Sequence, residues 1–138
     1  MMNSIKTALL MSLVAGAAWS GGFVVITNPA AASAAIGKAD LKRIYNGKIK
    51  EWDGLQVQPI NLADGSPVKD SFLKDILGLS AKEYEDFCTK QKITGEGTPP
   101  IIQPNSAAVK AMVSSIPGAI GYVEESAVDA SVKVLAVK

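Results

Sequence analysis

Ser106–Val123 reads SAAVKAMVSSIPGAIGYV. Val109, Met112, Val113 and Ile116 recur at i, i+3, i+4 and i+7, the spacing of one buried helix face. Ser106 precedes them as an N-cap. Pro117-Gly118 breaks the helix, and Ala119–Val123 follows as a strand. Gly121 inside that strand marks a close backbone approach or a bulge. This stretch joins one helix to one strand, the two kinds of element from which the rest of the chain is built.

Downstream, Val132–Val137 predicts a last strand with Val132, Val134 and Ala136 on one face. Upstream, Thr94–Pro100 is a loop whose Gly95-Glu96-Gly97-Thr98 lacks the Gly-Lys-Ser/Thr of a nucleotide P-loop. Ser80 with Glu83 forms a capping box for a helix to about Lys92, with Tyr84, Phe87 and Cys88 on its apolar face. Another helix opens at Ser66 as N-cap with Pro67 at N1. Phe72, Leu73, Ile76 and Leu77 form its buried stripe, and Gly78 ends it. Val57–Leu62 predicts a strand, in which Pro59 argues for an edge or a bend. Lys48–Gly54 is a polar excursion with Trp52 and an Asp53-Gly54 turn. A helix runs from an N-cap at Gly37, stapled by Ile36 and Leu41, to a left-handed stop at Asn46-Gly47. Pro29–Ala35 is loop-like, and Phe23–Thr27 is a buried strand stopped by Asn28-Pro29. Strands and helices alternate, so the expectation is an α/β domain over residues 21–138: a mixed sheet of four or five strands flanked by about four helices.

The 138 residues suit one domain. Lys and Arg number 14 and Asp and Glu 13, for a net charge of +1. That balance has no basic excess to neutralise a nucleic-acid backbone. The chain has no His and a single Cys, Cys88. It therefore lacks the usual general base, and it cannot form an internal disulfide or a thiolate metal site. No Ser has a His to activate it, and no nucleophile–base pair is evident, which argues against an enzyme. Neither a metal nor a cofactor is expected.

Met1–Ser20 has the tripartite pattern of a secretory signal: Lys6, an apolar run over Ala8–Ala15, and small residues at Ala18 and Ser20. The run is too short for a transmembrane span. Ala17 stands where a bacterial lipobox carries Cys, so no membrane anchor is expected. The expectation is a protein that is periplasmic or secreted, soluble after cleavage.

Two places offer ligand-binding groups. A helix N-terminus presents free N–H groups and partial positive charge, so an oxyanion can sit at the Ser66 turn. Ser66 Oγ, the Val68 and Lys69 amides and the Lys69 ammonium supply the contacts. Against this, Pro67 lacks an N–H, Asp64 and Asp70 bring like charge, and the default reading of the same residues is a plain helix cap. Thr27 and Asn28 end the first strand, where loops of open α/β sheets often line clefts. The default reading of both is an ordinary strand terminus.

Three blocks carry a family resemblance. Leu41-Lys42-Arg43-Ile44-Tyr45-Asn46-Gly47-Lys48 followed by Trp52 resembles the "L-x-x-I-[FY]-x-G-K" helix of bacterial periplasmic phosphate-binding proteins. Gly65–Phe72 resembles that family's Gly/Ser-rich turn into a helix. Pro117–Val123 matches its "P-G-A-I-G-Y-V" almost letter for letter. The resemblance implies a single periplasmic-binding-protein-like lobe, since a full binding protein of this family has two lobes and about twice the chain. The family's serine-glycine-threonine turn is not intact, because Pro67 follows Ser66. The one arginine, Arg43, lies on a different helix. The implied function is an exported solute-binding-like protein for phosphate or a related oxyanion, linked to phosphate uptake or sensing. Its partner would be a transporter permease or another envelope protein. The alternative is a non-catalytic envelope interaction module that kept the fold and lost the ligand; a homodimer whose two copies wall one cleft is a special case.

Cleavage after Ser20 leaves 138 − 20 = 118 residues. Intact-mass spectrometry of protein recovered from the cell envelope should find a chain lacking Met1–Ser20, to within a few residues. An unprocessed Met1 form would overturn the signal reading.

Overall fold

The computed structural model describes residues 22–95 and 99–138. The expected signal segment and Glu96–Thr98 lie outside the described residues. The strands are β1 (Val24–Thr27), β2 (Ala35–Ile36), β3 (Glu51–Trp52), β4 (Leu55–Gln56), β5 (Gln58–Leu62), β6 (Ile101–Gln103), β7 (Ala119–Val123) and β8 (Lys133–Val137). The helices are α1 (Lys38–Tyr45), α2 (Pro67–Phe72), α3 (Ala81–Thr94) and α4 (Ser106–Ser115). A π-helical turn, Leu73–Leu77, prolongs α2, and a 3₁₀ turn spans Glu125–Ala127.

Six strands form one sheet in the order β2-β8-β1-β7-β5-β6, and β3 pairs with β4 in a separate ribbon. The sheet therefore exceeds the expected four or five strands. The additions are β2 and β6, which have two and three residues and too little pattern to show in sequence. β1 runs antiparallel to both β7 and β8, while β2 is parallel to β8 and β5 is parallel to β7 and β6. Within the six-stranded sheet every strand but β1 thus points the same way.

Pro59 is not on an edge strand, because β5 lies between β7 and β6. The chain tolerates it because β5 pairs with β7 at Gln58 and Pro59 and with β6 only from Ile60 onward, so Pro59 has a partner on one side alone. Helix caps follow the sequence closely. Gly37, Ser66 and Ser80 are N-caps, and Ser80 with Glu83 makes the full capping box. Helix α4 differs by one residue. Asn105 is its cap, accepting from the Ala108 amide at 2.9 Å, and Ser106 is already helical. In β8 the buried residue is Leu135, while Val134 on the anticipated stripe is 46% exposed. Leu135 pairs with Val25 and shares its face, whereas Val134 lies on the opposite one.

β7 is the spine, buried along its whole length. On one face Gly121 admits α4. A Cβ there would stand 2.9 Å from Val109 Cγ1 and 3.3 Å from Val113 Cγ2. On the other face the Tyr122 ring stacks on Phe72, with centroids 3.9 Å apart and planes 5° from parallel. Phe23 and Tyr45 pack edge-on against Phe72 at 5.4 and 4.8 Å. Tyr45 donates its hydroxyl hydrogen to the Ile60 carbonyl at 2.7 Å. Gly118 is tighter still, since a Cβ there would lie 1.8 Å from the Gln56 carbonyl oxygen.

Gly121→Ala should lower stability by about 1–3 kcal/mol, the usual cost of overpacking. Gly118→Ala should cost more, because backbone, not a side-chain tip, must move. Chemical denaturation of both variants checks the order, and a neutral Gly118→Ala would refute the close approach.

Burial raises Tyr45, Tyr84 and Tyr122 above their ordinary value of 10.0. The unfolded tyrosines ionise near pH 10 while the folded ones resist. The stability they contribute is therefore complete below that pH and is lost as pH rises above it. In an alkaline titration, tyrosinate absorbance should appear in one step with the loss of circular dichroism. Absorbance rising while the fold persists would contradict this packing.

Candidate functional site

Parallel strands gather their C-terminal ends at one end of the sheet. β2 delivers the chain there to α1, β5 to the Ser66 turn and α2, and β6 to Asn105 and α4. β7 delivers Glu124 and Glu125, and β8 delivers Lys138. In open α/β sheets this end is where ligands bind.

At that end Ser66 holds an extended backbone, and its Oγ accepts from the Lys69 amide at 3.3 Å. Val68 is half-buried and packs on the core. Lys69 is only 4% exposed. Its Nζ donates to Asp64 Oδ1 at 2.7 Å and stands 5.4 Å from the centre of the Tyr84 ring. An ammonium has three donors, and a π face attracts it without accepting a full hydrogen bond. Lys69 therefore has donor capacity left beyond Asp64.

Beneath the turn lies a buried polar network that sequence reading missed. Asn61 is completely buried in β5. Its Nδ2 donates to the Tyr84 hydroxyl at 2.9 Å. Its Oδ1 accepts from the Leu62 amide at 2.9 Å and from the Tyr122 hydroxyl. Burial is the first cause of the raised Tyr122 pKa, and the Asp64 and Asp70 carboxylates add to it. The signal available in sequence was one polar residue, Asn61, inside the apolar run Pro59–Leu62. A buried amide needs partners, and here the partners belong to α3 and β7.

Thr27 and Asn28 lie at the opposite end of the sheet. Thr27 pairs with Ile120, which pairs in turn with Pro59. The run from Pro59 to Leu62 alone spans about 10 Å at the usual rise per residue. The structure thus does not bring these two residues together with Ser66, Val68 and Lys69. Thr27 Oγ1 donates to the Ala119 carbonyl at 2.9 Å. Asn28 Nδ2 donates to the Val113 and Ser114 carbonyls at 2.9 and 3.1 Å, closing the C-terminus of α4. Asn28 Oδ1 accepts from the Ala30 amide at 2.8 Å.

The same end holds Asp53, in the β3–β4 turn at φ 59°. Its carboxylate accepts from the Ser33 amide at 2.9 Å, the Ser33 hydroxyl at 2.7 Å and the Ala32 amide. The Ser33 bonds lead in holding it below the ordinary carboxylate value. Asp53 thereby pins the loop after β1. Cys88 is half-buried and neighbours Tyr84, whose raised pKa is due first to burial and next to this thiol. Among the described residues no group of three or more His, Cys, Asp or Glu could hold a metal ion.

Comparison with known proteins places this geometry in a lineage. Residues 13–136 match the profile of the PBP superfamily domain. The phosphate-binding protein PstS of Bacillus subtilis (strain 168) is 30% identical over 106 residues, covering 73% of this chain and 30% of that protein. Among solved structures, an ABC-type phosphate transport receptor from Vibrio cholerae superposes with a TM-score of 0.69 at 21% identity, covering 84% of this chain and 46% of the receptor. A putative phosphate ABC transporter substrate-binding protein from Clostridium perfringens, solved with bound phosphate, gives 0.67 at 27% identity, covering 84% and 44%. The chain spans less than half the length of each of these relatives. The profile nonetheless covers nearly all of this sheet and its helices, and the chain belongs to the PBP superfamily.

Proposed function

We propose that this chain is an exported, non-catalytic solute-binding lobe that takes phosphate or a related oxyanion at the Ser66 turn and works with an ABC permease. The observation that carries the reading is the Lys69 ammonium, buried at the turn with unfilled donors. Ser66 Oγ and the Val68 amide lie in the same turn, at the ligand-binding end of the sheet. The relatives support the class, being a phosphate-binding protein, a phosphate transport receptor and a substrate-binding protein with phosphate bound. The export signal expected over Met1–Ser20 supports a periplasmic or secreted location. No helix among the described residues is long and apolar enough to cross a membrane.

Thr27 and Asn28 enter this reading as a second, separate candidate, since their hydrogen bonds serve the loop and helix around them. A second reading, an envelope interaction module without a ligand, draws on Pro67, which removes one amide donor, and on Asp64 and Asp70 beside the turn.

Calorimetry with phosphate and sulfate tests the proposal. Ligand at 100 times its dissociation constant should stabilise the fold by about 2.7 kcal/mol. No heat and no melting shift at millimolar phosphate would sink it in favour of the second reading. Ser66→Asp sharpens the test. Asp caps a helix as well as Ser, so stability should hold. Its carboxylate should cut oxyanion affinity by about tenfold or more. Undiminished affinity in that variant would move the site away from this turn.

A further inference from the structure

We propose that a second copy of this chain supplies the other wall of the oxyanion site, docking end to end so that Gly37–Lys38 of one copy faces the Ser66 turn of the other. This rests on the oxyanion reading above.

The first argument is charge. Lys69 is the one cation of the turn, set against Asp64 and Asp70, so the turn of a single chain is net negative. An anion needs additional positive charge there. The second argument is coverage. The donors come from one side, and a tetrahedral oxyanion has four oxygens to satisfy. This chain spans 46% and 44% of two relatives whose folds contain it, so each carries about as much chain again.

The third argument identifies the occupant. Across the ligand-binding end, charge is divided by the strand order β2-β8-β1-β7-β5-β6. Lys38 follows β2 and Lys138 follows β8, whereas Glu124 and Glu125 follow β7, and Asp64 and Asp70 follow β5. Lys38, Lys138, Glu124, Glu125, Asp64 and Asp70 are all exposed. Of these, only Asp64 has an ion-pair partner among the described residues. The pattern is self-complementary about β1. A two-fold axis along the sheet normal at β1 lays β8 of one copy over β7 of the other, and β2 over β5. Lys138 then meets Glu124 and Glu125, and Lys38 meets the Ser66 turn with Asp64 and Asp70.

The helices agree with this axis. α1 and α2 pack on the same sheet face, as the contact of Tyr45 with Phe72 shows, and rotation about the normal preserves the face. The start of α1 in one copy is therefore brought over the start of α2 in the other. Gly37 offers no side chain to cap α1, and the Lys38 amide donates to the Lys138 carbonyl at 2.9 Å, so this end of α1 presents the exposed Lys38 side chain. Asp40 in its first turn is paired with Arg43 at 2.8 Å. The Lys38 ammonium of one copy and the Lys69 ammonium of the other would then face one oxyanion.

Sedimentation velocity and phosphate calorimetry on the same samples test this. The protein should dimerise, more tightly with phosphate and less tightly with added salt. Lys38→Glu should abolish the phosphate-linked dimer and lower phosphate affinity by at least about tenfold, with circular dichroism unchanged. Lys138→Glu should weaken the dimer, and Lys138→Glu combined with Glu124→Lys should restore it. Phosphate heat from a wild type that stays monomeric at millimolar concentration would overturn the proposal, as would wild-type affinity in Lys38→Glu. A charge-swap-sensitive dimer that gives no phosphate heat would instead overturn the oxyanion reading, and the shared site with it.

Discussion

The stack of Phe72 on Tyr122 is the contact on which the placing of the candidate site depends. Phe72 ends the short helix that Ser66 caps, and Tyr122 lies in the central strand. Near-parallel rings at 3.9 Å fix that helix against the sheet, and Phe23 and Tyr45 close around them. With six residues of regular helix before the π turn, α2 could not hold its place through its own hydrogen bonds. Tertiary packing holds it, and so places the Ser66 turn at the end of β5.

The Tyr122 side chain has two roles. Its ring belongs to the apolar stack, while its hydroxyl reaches Asn61 in the network under the turn. An apolar core and a buried polar network thus share one side chain. The opposite face of the same strand is shaped by an absence, the missing Cβ of Gly121, which lets α4 approach closely. A strand buried on both sides can carry Ile-Gly-Tyr in sequence only because each neighbour is matched to its face.

Electrostatics divides the molecule into two ends with different tasks. At one end Asp53 and Asn28 have their polar atoms committed to nearby amides and carbonyls. At the other, Lys69 retains donors, and exposed charges of opposite sign sit on opposite halves of the sheet. Committed polar groups stabilise a fold, whereas groups with spare capacity are available to a ligand or a partner.

The sequence by itself determined what is local. Ser66 followed by Pro67, Ser80 with Glu83, the Asn46-Gly47 stop and the Pro117-Gly118 break each specify backbone over a few residues, and the helices begin and end there. The three family blocks likewise identified the lineage. Only the tertiary structure decided what depends on distant chain. β2 and β6 are too short to carry a pattern and exist because a neighbouring strand offers an unpaired edge. Pro59 suits an interior strand only because β6 begins one residue later. Asn105 rather than Ser106 caps α4, a choice between two adjacent good caps that the surrounding geometry settles. Leu135 is buried and Val134 exposed because burial depends on which face the helices cover, which periodicity alone cannot report. The separation of Thr27 and Asn28 from Ser66 follows from the single antiparallel strand. β1 runs against its neighbours, so its C-terminal end lies where theirs begin. Strand direction arises from long-range pairing, and no local run of residues encodes it.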